Sequence, residues 1–138
     1  MEKVIVIGIA GGTGSGKSTL VNKIKEEAII NHVPILQDKS LEFICLLLRL
    51  INPIKILEIG TAVGYSAINF ALELDENVNI KTIERNEKMY AKAIDNIASV
   101  DLSDKIEVIL ADATEYLPNL KEAKVRTKKE VRIINLMQ

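Results

Sequence analysis

Two short stretches, "GIAGGTGSGKSTL" beginning at Gly8 and "ILEIGTAVGYS" beginning at Ile56, decide most of what this chain can fold into. In each, a β-branched run ends in a glycine turn, and the turn opens a helical segment. Strand, glycine turn and helix in that order is the building unit of a mostly parallel sheet covered by helices. The rest of the chain repeats the alternation. Lys3 to Ile9 reads as a buried strand and Ser18 to about Ile30 as a helix. Pro34 disfavours helix at Val33. "KSLEFICLLLRLI" is a helix apolar nearly all round, with Glu42 and Arg49 on its polar stripe, and Asn52-Pro53 ends it. Strands follow at Ile54–Ile59, Val78–Glu84 and Lys105–Leu110, with a fifth at Val131–Leu136. Between them come a helix over Tyr65–Leu74 and another capped by Asn86, carrying Met89, Ala93, Ile94 and Ile97 on one face. The fold class is α/β; the strand order is not readable from the pattern.

Composition narrows the function classes. A chain of 138 residues suits a single domain. A net charge of −1 gives no global case for a nucleic-acid or membrane partner, although six of the last eighteen residues are Lys or Arg and only two are Asp or Glu. The basic "KVRTKK" in that tail could touch RNA phosphates, but a solvated end is the expectation. One cysteine, Cys45, excludes an internal disulfide and reads as a buried small hydrophobe. The apolar start is short, strand-like and followed at once by glycines, unlike a signal peptide. With no apolar run long enough to span a bilayer, the expectation is a cytoplasmic protein with no membrane partner.

Gly11 through Ser18 satisfies G-x-x-x-x-G-K-[ST] in the strand-to-helix context that a phosphate loop requires. Glycines at Gly11, Gly14 and Gly16 let backbone N–H groups turn toward phosphate oxygens, and the helix N-terminus adds positive potential. Lys17 would reach the β- and γ-phosphates, Ser18 would hold Mg²⁺, and Thr19 follows in the first turn. Beyond the motif, "IGIAGGTGSGKSTLVNKI" resembles the start of bacterial uridine kinases. The likeness ends near residue 28, where "NHVPILQDKS" replaces that family's nucleoside-binding residues. It implies Mg-ATP at residues 11–19.

The second glycine turn is a different device. Ala62 and Tyr65 stand where the dinucleotide fingerprint needs glycine, so close approach of a pyrophosphate is not provided for. Glu58 precedes the turn, Glu84 ends the next strand some twenty residues after Gly64, and Asp112 ends the one after. A carboxylate at the Glu84 position can accept both hydroxyls of a ribose. Three acids at three successive strand ends favour a cationic ligand that bears a ribose. S-adenosylmethionine fits.

From "HVPILQDKSLEFICLLLRL" to "VILADATEYLPNL", roughly residues 31–120, the chain resembles bacterial class I O-methyltransferases of the caffeoyl-coenzyme A and tRNA 5-hydroxyuridine type. The resemblance implies a Rossmann-like sheet flanked by helices, here incomplete at about five strands. It implies S-adenosylmethionine as cofactor, with Gly60, Gly64, Tyr65 and Ser66 around the methionine part and Glu84 on the ribose. Asp112 and Ala113 would lie along the adenine, and Leu36 would line the same site. The family continues with an apolar strand ending in a metal-binding aspartate. Here "KEAKVRTKKEVRIINLMQ" follows, and no acid ends its apolar run. The expected organisation is therefore a phosphate-loop unit at 1–30, a partial methyltransferase domain at 31–120 and a basic tail at 121–138. No metal ligand or catalytic residue is assigned, the hydroxyl acceptor (small molecule or tRNA) is open, and turnover is expected to be lost. Half a sheet with an open edge makes a homo-oligomer the expectation. Two alternatives stay open: an ATP-binding protein of nucleoside-kinase descent, and a non-catalytic nucleotide-binding module. His32, the one histidine, reads as an exposed loop residue.

Overall fold

A computed structural model describes residues 16–120 and the backbone of residues 130–134. The strand expected at Lys3–Ile9, Gly11 and Gly14, and the stretch 121–129 lie outside the described residues. Two helices come first, α1 (Gly16–Ile30) and α2 (Asp38–Ile51). Then β1 (Lys55–Ile59), α3 (Tyr65–Glu73), β2 (Asn79–Glu84), α4 (Glu87–Ser99) and β3 (Ile106–Leu110) alternate. A four-residue helix, α5 (Ala113–Tyr116), leads into a 3₁₀ turn at Leu117–Asn119, and β4 (Glu130–Ile134) is the last described strand.

All pairings are parallel, and the sheet order is β3-β2-β1-β4. The chain steps outward from β1 to β2 to β3, then returns to place β4 on the other side of β1. This reversal makes a topological switch point between β1 and β4, and ligands of open α/β sheets bind at the carboxyl ends of strands near such a point. The α/β class expected from the alternating pattern is the observed one, and among the described residues the expected element limits hold to within two residues.

One hydrophobic layer holds the helices to the sheet. Ile56, Ile80, Ile106 and Val108 meet Ala67, Ile68, Phe70 and Ala71 of α3 and Ala93 and Ile97 of α4. Helix α2 buries Leu41, Ile44, Cys45 and Leu48, the i, i+3, i+4, i+7 stripe of an amphipathic helix, and packs on α3. It stops where Asn52 takes a left-handed conformation (φ 45°) and its N–H bonds the Leu48 carbonyl at 2.7 Å, just before Pro53. Helix α1 contributes Val21, Ile24 and Ala28 to the same cluster and rests on α3. An ion pair at 3.0 Å joins Arg49 of α2 to Glu73 of α3.

Helix α4 corrects one detail. Asn86 caps it as expected, its side chain accepting from the N–H groups of Lys88 and Met89 at 3.0 and 3.1 Å. Its buried face, however, is Ala93, Asn96 and Ile97, whereas Ile94 is 41% exposed. A polar residue takes the inward position because it has a buried partner: Asn96 Nδ2 donates to the Val63 carbonyl at 2.9 Å.

Candidate functional site

The turn after β1 is held by its backbone before any side chain is considered. Gly60 (φ 93°), Ala62 (φ 48°) and Gly64 (φ 83°) all adopt positive φ, a region that costs an ordinary L-residue roughly 1–2 kcal/mol. The Gly60 N–H donates to the Ile83 carbonyl at 2.9 Å, which keeps the turn against the end of β2. A Cβ on Gly64 would come 3.5 Å from Ile97 and 3.6 Å from Ala93, an ordinary contact, so the backbone angle is what demands glycine there.

Beneath this turn lies a buried polar network. In the parallel register Glu58 of β1 stands opposite Thr82 of β2, and both point to the helix-covered face. The Glu58 carboxylate accepts from the Thr82 hydroxyl at 2.6 Å and from the Ser66 hydroxyl at the start of α3. Thr82 in turn meets the Thr61 hydroxyl at 2.7 Å. Glu58 is only 1% exposed. Burial pushes its pKa up to about 7; the Ser66 and Thr82 bonds pull it back, and the neighbouring Glu84 charge raises it further.

Glu84 ends β2 on the same face and is buried to 3% exposure. One carboxylate oxygen accepts from the Ala62 N–H at 2.8 Å and the other from the Asn86 N–H at 2.9 Å. An ionised carboxylate has about four acceptor positions, so each oxygen retains capacity for a hydroxyl.

A cleft of about 200 Å³ opens at the carboxyl ends of β1, β2 and β3. It is lined by the apolar Ile59, Ile83, Ala111 and Ala113, by Gly60, and by the polar Arg85, Asp112 and Thr114. Asp112 caps α5, accepting from the Thr114 N–H at 2.8 Å and its hydroxyl at 2.6 Å. Those two bonds, aided by the Arg85 charge, hold its carboxyl below the usual aspartate range. Ligand pockets run to about 300–1,000 Å³, so this cleft is sized for one end of an elongated molecule. An apolar slot with an acidic, hydroxyl-bearing rim and a buried carboxylate close by suits an adenosine group.

The structure distributes the sequence-expected residues unevenly. Gly60, Asp112 and Ala113 line the cleft, and Glu84 lies at the adjoining strand end. Glu58 and Ser66 bind each other in the network below the turn. Tyr65 is buried in the helix layer, where burial, with Asp38 and Cys45 nearby, pushes its pKa up to about 12. Leu36, between α1 and α2, is half-buried against the core. Of the phosphate-loop residues, Gly16 opens α1, Lys17 is half-buried, and Ser18 and Thr19 are exposed. Sequence reasoning missed Thr61, Thr82, Arg85 and Thr114. A hydroxyl inside the β-branched run "NIKTIE" was the available signal for Thr82. Among the described residues, no cluster of His, Cys, Asp and Glu is arranged to hold a metal ion, and no helix is long and apolar enough to cross a membrane.

Comparison with known proteins identifies the family. The O-methyltransferase family model matches residues 13–135, from within the first glycine loop through β4. The chain belongs to the O-methyltransferase family. A catechol O-methyltransferase of Niastella koreensis is 36% identical over 81 residues, covering 59% of this chain and 37% of that protein. A flavonoid 3′,5′-methyltransferase of Vitis vinifera is 31% identical over 104 residues, 75% of this chain and 43% of its own length. Among solved structures, an O-methyltransferase from Bacillus cereus, in complex with S-adenosylhomocysteine, superposes with a TM-score of 0.69 at 26% identity. It covers 83% of this chain and 53% of that one. The Streptomyces achromogenes O-methyltransferase of tomaymycin synthesis, in complex with S-adenosylmethionine, gives 0.69 at 25% identity, over 88% of this chain and 54% of that one. The chain thus spans less than half the length of these two curated relatives and a little over half of these structures. The family match also takes in Gly14, Gly16, Lys17, Ser18, Thr19 and the whole of α1.

Proposed function

We propose that this chain is the cofactor-binding part of an S-adenosylmethionine-dependent O-methyltransferase. The observation that carries the proposal is Glu84, a buried carboxylate at the end of β2, held by the Ala62 and Asn86 N–H groups with acceptor capacity to spare for a ribose diol. The complexes of the Bacillus and Streptomyces relatives support the choice of ligand. Asp112, Ala113 and Thr114 would flank the adenine in the cleft. The Gly60–Ser66 turn would face the methionine part, with Leu36 on the approach from α2. When bound, the cofactor supplies a methyl group made electrophilic by its sulfonium. The chain's own part would be to orient it: Glu84 would hold the ribose hydroxyls, and the Gly60–Ser66 segment would hold the methionine part. The acceptor is a hydroxyl compound, either a small molecule or a modified tRNA, met in the cytoplasm.

Helix α1 beginning at Gly16, with Lys17 and Ser18 in its first turn, favours a second reading in which residues 11–19 hold the phosphates of Mg-ATP. Titration calorimetry on one sample separates the two. S-adenosylmethionine should bind and Mg-ATP should not compete with it; binding of Mg-ATP alone would favour the second reading.

A further inference from the structure

We propose that Glu58 is a positioning residue: from beneath the Gly60–Gly64 turn it sets the direction of the hydrogen-bond chain through Thr82 to Thr61, and so couples a proton to the binding of a cationic ligand above. The inference rests on the S-adenosylmethionine reading and concerns regulation of that same site.

The chain of bonds has a direction because a hydroxyl has one proton to donate. Thr82 spends its proton on Glu58 Oε2 at 2.6 Å. The 2.7 Å contact with Thr61 must then run from Thr61 to Thr82, which occupies the Thr61 proton and ties the turn to β2. Once Glu58 takes up a proton on that oxygen, the order reverses. Glu58 donates to Thr82, Thr82 donates to Thr61, and the Thr61 O–H loses its acceptor. Thr61 is 2% exposed, so no bulk water replaces that acceptor, and the turn must adjust. Thr61 directly precedes Ala62, whose N–H holds Glu84. The charge state of a side chain on β1 is therefore read in the turn that orients the ribose carboxylate.

The surroundings decide which way a ligand pushes this equilibrium. From α3, Ser66 faces Glu58; from β2, Thr82 and the carboxylate Glu84; from the turn, Thr61 by way of Thr82. None of the ion pairs among the described residues involves Glu58. A cation arriving above the turn brings a compensating positive charge and favours the ionised form. A pKa of about 7 puts the change near neutral pH. On ionisation the carboxyl O–H bond breaks, the electron pair stays on oxygen and the proton passes to the buffer; no bond to the ligand forms.

Calorimetry on the full chain tests this, using S-adenosylmethionine and, separately, S-adenosylhomocysteine, which lacks the sulfonium charge. Each is titrated between about pH 6 and pH 8 in two buffers of different ionisation enthalpy. S-adenosylmethionine affinity should rise about tenfold across that range, with protons released near neutrality, and S-adenosylhomocysteine, without the sulfonium, should show a smaller change. Glu58→Gln should remove this difference between the ligands. Thr82→Val keeps the side-chain shape but removes a donor to the ionised carboxylate, so it should move the midpoint to higher pH. Binding without proton release, an unchanged profile in Glu58→Gln or an unmoved midpoint in Thr82→Val overturns the inference and leaves the cofactor reading standing. Failure to bind S-adenosylmethionine at any pH overturns both.

Discussion

The backbone N–H of Ala62 donates to the Glu84 carboxylate at 2.8 Å, joining the turn after β1 to the end of β2 across 22 residues of sequence. The carboxylate proposed to bind the ribose and the shape of the glycine turn are thus one structural unit. Glu84→Ala removes a charged acceptor, and hydrogen bonds to charged groups contribute about 1.5–3 kcal/mol, so S-adenosylmethionine affinity should fall roughly ten- to a hundredfold. Lys17→Ala, on α1, should leave that affinity unchanged. Calorimetry on the two variants checks both statements, and the reverse pattern would point to the phosphate loop.

Glu58 makes stability depend on pH with a definite sign. Its folded-state pKa of about 7 lies above the ordinary value near 4.5, so between those values the folded chain binds more protons than the unfolded one. Stability contributed by the protonated carboxyl is fully present below the unfolded value and lost as pH rises through the folded one, by roughly 3 kcal/mol in all. Urea denaturation at about pH 5 and pH 8 should show the wild type losing stability relative to Glu58→Gln over that interval. A constant difference between the two proteins would count against the shifted carboxyl.

Gly64→Ala should destabilise through the backbone alone. The added methyl finds ordinary contacts at 3.5 Å, but φ of 83° is strained for alanine by about 1–2 kcal/mol. Thermal unfolding should shift down by several degrees. Ala62→Gly, at φ of 48°, should be neutral or slightly stabilising, because glycine relieves the same strain there.

Asn96→Leu tests the tie between α4 and the turn. The Val63 carbonyl loses its 2.9 Å partner in a buried setting, and an unsatisfied buried acceptor costs about 1–3 kcal/mol. Chemical denaturation should register that loss. An unchanged midpoint would mean that water reaches the carbonyl.

Local sequence determined the units of this protein. The β-branched run, glycine turn and helix around Gly60 follow from side-chain shape and positive φ, interactions that span only a few residues. So does the capping of α4 by Asn86, which bonds N–H groups two and three positions away. Strand order was decided elsewhere, because placing β4 beside β1 depends on pairings across more than seventy residues that no local period records. The same holds inside the site. Glu58 and Glu84 look alike in sequence, each an acid in an apolar strand near a turn. Register alone sets Glu58 opposite Thr82, where packing of α3 removes water and brings in the Ser66 hydroxyl, while Glu84 ends its strand and meets the Ala62 and Asn86 N–H groups. Burial is a property of what packs on a residue, and that is fixed only when distant segments come together.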